Sequence, residues 1–150
     1  MQQLERLEAL VPDVILRYDP LMPDFLSGLY VDQHIYLNKN KNYYNHVGTM
    51  AEEIGHYMTS TGDITDYSNI NNARQERRAR RQGIRLLIPL ERLIECYELG
   101  ITYEYDIILH LEIDNQYLKI AIDEYKALFG IEKIFHGYRI IFDPLNIIKI

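Results

Sequence analysis

The chain has no tryptophan and only one cysteine, Cys96. A single thiol cannot close an intramolecular disulfide, which excludes a cross-linked framework and makes a reducing compartment the expected setting. The first ten residues, MQQLERLEAL, lack the basic start and unbroken apolar run of a signal peptide. No apolar stretch approaches the roughly 18 residues that a membrane span requires. The expectation is a cytoplasmic protein with no membrane partner. Cations are also scarce, 16 Lys and Arg against 22 Asp and Glu, for a net charge of −6. That balance argues against direct nucleic-acid binding, because phosphate contacts need clustered positive charge. One local exception is RQERRARRQGIR (74–85), whose default reading is internal pairing or solvation.

What is present suits an ordinary folded domain: 150 residues, 47% hydrophobic and rich in tyrosine, with thirteen. The N-terminal half predicts a short helix over 4–10, a strand at VILRY (14–18) and an irregular DPLMPD (19–24). Two β-rich runs then flank Asp32-Gln33 within 26–38, as in a hairpin. Helical spacing runs from Tyr43 to about Ser60, where Gly62 supplies a stop, and again from about Asn71 to Leu87. Pro89 opens a further helix, 90–99, closed by Gly100. Two more are expected over 102–113 and 114–130, with Asp114 as N-cap, before a terminal hairpin or wing around His136-Gly137. A division near residue 90 separates a core, 1–90, from a helical C-terminal lobe, 91–150.

The informative stretch is MAEEIGHYMTS (50–60). The zincin pattern H-E-x-x-H places two imidazoles one helical turn apart, with a glutamate beside the first. Here Glu52 occupies the first histidine's position, ahead of Glu53 and His56. With Glu52 at zero on a helical wheel, His56 falls near 40°, Thr49 near 60° and Glu53 near 100°, while the apolar residues cluster at roughly 200–260°. Glu52 and His56 can therefore face one ion, and Glu53 misses it but can reach a water bound there. Gly48 and Gly55 lie together at about 300–320°, where another element could approach closely. On spacing alone the default reading is a solvated polar face.

On the following helix Glu76 shares an arc with Ala79, Gly83, Leu86 and Leu87, opposite a stripe of Arg74, Arg77, Arg78, Arg81 and Arg85. An inward-facing carboxylate needs a cation or donor. A metal would serve, and so would Arg80 one turn on.

The order HIYLN (34–38), AEEIGHY (51–57), QERRARRQGIRLLIP (75–89) resembles the ImmA/IrrE family of metallo-endopeptidases over roughly residues 25–90. The tail, 101–142, resembles the helix-turn-helix-like continuation of phage-type members. The resemblance implies an α+β, zincin-like metallopeptidase domain with a small antiparallel sheet and a helical C-terminal lobe. It assigns His56 and Glu76 as metal ligands and Glu53 as general base, with Glu52 in the slot of the missing histidine. It implies Zn2+ as the cofactor, and the extra oxygen donor makes Mn2+ or Fe2+ more competitive. Such a set leaves the centre nearly neutral, which weakens its acidifying effect. Gln82-Gly83 departs from an aromatic-alanine pair usual in the family.

The implied substrate is a helix-turn-helix repressor, aligned as an added strand along the 26–38 hairpin. Two alternatives remain: a non-catalytic module that binds such a repressor, and a DNA-binding regulator using 102–142, whose acidic residues would repel phosphate. His46 is either exposed or a support for the site, and Asp63 and Asp66 either orient His56 or form turns. His34, His110 and His136 are expected to be structural, Tyr57 to pack, and Cys96 to be a buried, inert thiol.

Overall fold

In the computed structural model, which describes residues 2–59 and 69–150, the chain is mixed α+β and divides into two compact units, 1–87 and 88–150. The first unit begins with α1 (Gln3–Leu10) and β1 (Ile15–Asp19). The expected hairpin follows as β2 (Gly28–Val31) and β3 (His34–Asn38). Its two turn residues, Asp32 and Gln33, both have positive φ, 47° and 62°. That pairing matches the right-handed twist of tight hairpins. The sheet is not wholly antiparallel, however: β1 runs parallel to β3, giving the order β1-β3-β2 and leaving β2 at an edge.

Two long helices complete this unit, α2 (Tyr43–Thr59) and α3 (Asn69–Leu87). Asn42 starts α2 with its Oδ1 accepting the Asn45 N–H at 2.9 Å. Val47, Met50 and Ile54 are fully buried along α2, as are Ile35 and Leu37 of β3 against which that helix packs. Burying each such side chain contributes about 1.5–3 kcal/mol. The stop expected at Ser60–Gly62 and both Asp63 and Asp66 lie outside the described residues.

The second unit holds α4 (Leu90–Glu98), α5 (Glu104–Leu111), α6 (Asn115–Phe129), β4 (Glu132–Phe135), β5 (Tyr138–Phe142) and β6 (Leu145–Lys149). Asp114 caps α6, accepting the Tyr117 N–H at 2.7 Å. The terminal element is larger than a hairpin: β6 pairs with β5 to make a three-stranded antiparallel sheet. Its strand was hidden by Asp143-Pro144, a turn signal whose far side reads as a tail. Tyr125, Phe129 and Phe142 stack between α6 and β5, with centroids 5.8–6.3 Å apart. Cys96 is buried and its thiol is pushed up to about 11, chiefly by desolvation, so it is no nucleophile at neutral pH. No described helix is long and apolar enough to cross a membrane.

Candidate active site

Two glycines bring α2 and α3 together. A Cβ on Gly55 would strike the carbonyl of Ala79, and one on Gly83 would stand 2.6 Å from the carbonyl of Ala51. The helices therefore meet backbone to backbone, which only glycine permits. Gly55 is the residue before His56, and Ala79 lies one turn after Glu76. The crossing thus carries these two side chains to its rim, where His56 Nε2 is 3.4 Å from Glu76 Oε2. Gln82-Gly83 is in this light the contact itself.

Glu76 does not face inward as its wheel position suggests. Its side chain is 61% exposed, against 22% for His56. The arc it shares with Ala79 and Gly83 is covered only where the helices touch, and Glu76 stands just beyond. The side chain within reach of its carboxylate is His56, not Arg80.

A cleft of about 470 Å³ opens at this rim, lined by Thr49, Glu52, Glu53, His56 and Glu76 on one side. Residues 25–30, from the loop before β2 and its first strand residues, line the other. Gly28 sets that wall close to α2, since a Cβ there would overlap the Thr49 methyl. All four residues singled out from the sequence share the cleft. Phe25 was missed, because the proline-rich loop it follows has no periodicity from which an outward face can be read, whereas Leu29 falls in the expected hairpin.

The Glu53 carboxyl is pushed up to about 7 by desolvation first, then by the charges of Glu52 and Glu76. A carboxylate so tuned accepts and returns protons near neutrality. His46 lies two turns from Glu53 on the same arc but has another task. It is buried, its Nε2–H donates to the Asn38 carbonyl at 2.8 Å, and its ring packs on Tyr18 with centroids 5.4 Å apart. It supports the fold rather than the site. Tyr57 packs edge-on against Tyr30.

The donor chemistry fits a divalent cation in part. Two ligands of one tetrahedral ion, each about 2.0–2.1 Å from it, stand about 3.3 Å apart. The His56–Glu76 separation of 3.4 Å has that spacing. Among the described residues, though, no three His, Cys, Asp or Glu side chains form a ready ligand group, so Glu52 does not join the other two as placed.

No curated protein and no solved structure matches the chain. A family model does: the peptidase M78 model, described as IrrE N-terminal-like domain, matches residues 12–140. The match extends well beyond the three motif segments and runs through most of both units, in a family that is typically metal-dependent. With the crossed helices and the cleft at their rim already in place, this match puts the chain in the IrrE N-terminal-like, peptidase M78 family.

Proposed function

We propose that the chain is a metal-dependent endopeptidase whose substrate is a helix-turn-helix repressor. Family membership gives the coarser part, a metallopeptidase-like role. The observation that supports peptide hydrolysis is Glu53, half-buried and raised to about 7, in one cleft with the His56–Glu76 pair and bordered by a strand edge with no strand partner among the described residues. An extended peptide pairing with β2 would bring a backbone carbonyl past these groups.

His56 and Glu76, with Glu52, would hold a divalent ion, Zn2+ being favoured, and such an ion would supply Lewis acidity at the cleft. Glu52 sits one turn before His56 on the same helix and would supply the third donor. Glu53 takes the proton of the attacking water and passes it to the departing amine. His56 and Glu76, fixed by the glycine crossing, supply pre-set donors. Support for a repressor substrate comes from the ImmA/IrrE resemblance, and a cytoplasmic setting suits both it and the single thiol.

A second reading is favoured by one observation, the failure of Glu52 to stand with His56 and Glu76. In it the chain binds a repressor without cutting it. Metal analysis of wild type, His56→Ala and Glu76→Ala, with cleavage assays on a co-encoded repressor, tests the pair. Metal lost in both variants and cleavage abolished by Glu53→Gln is the expected result. Metal retained in both variants removes the site, and binding without cleavage selects the second reading.

A further inference from the structure

We propose that Phe25 and Leu29 form the apolar wall of a substrate subsite that accepts a bulky aliphatic or aromatic side chain from an extended peptide. The inference rests on the peptidase reading and adds which side chain the cleft selects.

Phe25 is 89% exposed and Leu29 44%, yet both line the cleft that holds Glu53, His56 and Glu76. A ring left in water adds almost nothing to the core, so its contribution is to be found in what covers it. Leu29 belongs to β2, where Leu29 and Val31 are exposed while Gly28 and Tyr30 are half-buried. One edge of β2 pairs with β3 and the other has no strand partner among the described residues. Main-chain pairing along that free edge would orient a peptide, and alternate side chains would then meet the wall. The occupant implied is an extended peptide rather than a compact ligand, because strand edge, apolar wall and acid-base group lie along one cleft.

The wall is fixed rather than loose. Asn38, fully buried, points its Nδ2 at the carbonyls of Leu26 (2.8 Å) and Pro23 (3.1 Å), and its Oδ1 accepts the Asn40 N–H at 3.0 Å. Its own carbonyl receives the His46 Nε2–H from α2. Asn38 is thus a positioning residue that couples the Phe25 loop to the helix bearing Glu53.

The test uses short labelled peptides that differ at one position, carrying Leu or Phe, Ala, or Asp there. Binding is read by fluorescence anisotropy on the full-length Glu53→Gln variant, and cleavage on metal-loaded wild type. Phe25→Ala should weaken Leu and Phe peptides about tenfold and leave the Ala peptide unchanged, raising KM rather than lowering kcat. Thermal stability should not move, since the ring is outside the core. Asn38→Ala should cost the same selectivity, but not a second time in the Phe25→Ala background. Equal affinity for all peptides overturns the subsite even where cleavage persists. Selective binding with no cleavage by wild type keeps the subsite and removes the peptidase reading. A change of oligomeric state in Phe25→Ala with selectivity intact assigns the ring to self-association and overturns the proposal.

Discussion

Two polar clusters meet α2 two turns apart. Near its start, His46 donates to the carbonyl of Asn38 on β3, whose side chain meets the Pro23 and Leu26 carbonyls and the Asn40 N–H, with donors matched to acceptors. Further along, Glu52, Glu53, His56 and Glu76 of α3 line one cleft, and Glu53 is held away from its ordinary ionisation by burial first and then by the charges of Glu52 and Glu76. The first cluster stabilises the fold, whereas the second works against it and is retained where a cleft meets solvent. Buried polar groups with complete partners specify structure; those left with like-charged neighbours mark chemistry.

The largest expected effect breaks the second cluster alone. Glu53→Gln should lower kcat for peptide cleavage by about 10³-fold with metal content unchanged, measured on metal-loaded protein. Next comes Gly55→Ala, which forces α3 away from α2. We expect a loss of about 3 kcal/mol or more in urea unfolding, together with loss of bound metal, because Glu76 moves with α3. Asn38→Ala should destabilise by about 2–3 kcal/mol by stranding the Pro23 and Leu26 carbonyls, while wild-type metal content persists.

A smaller effect sharpens the contrast through pH. The folded state keeps Glu53 protonated up to about 7, against 4.5 when unperturbed, so its ionisation opposes folding. The penalty is absent below about pH 4.5, grows between there and 7, and is complete above. In chelator, Glu53→Gln should therefore be more stable than wild type at pH 8, by at most about 3 kcal/mol, with the gap closing towards pH 4.5. Denaturant titrations at both pH values measure it. Smallest is Glu52→His, which should tighten zinc about tenfold by competition with a chelating dye, an imidazole replacing a carboxylate one turn before His56.

Much of this was legible in residue order. The hairpin at Asp32-Gln33, the two long helices and the Asp114 cap follow from local chemistry, and the α2 wheel set Glu52, Glu53 and His56 on one polar arc. The wheel failed where it had to say how far along a face the burial extends: it put Glu76 inside and left His46 open to solvent, and both are reversed. Neither error is local. Glu76 lies past the end of a helix contact, and His46 is covered by Tyr18 from a strand far away in sequence. The parallel pairing of β1 with β3 escaped for the same reason, since it depends on partners that no short window contains. Phe25 escaped because loops carry no period.

The glycine crossing has a consequence for how such a centre endures substitution. Since main chain rests on main chain, the spacing of His56 and Glu76 is inherited from two absent methyl groups rather than from any particular side-chain fit. As long as that hinge pin holds, the reach between imidazole and carboxylate stays constant while side chains elsewhere on the two helices are rewritten.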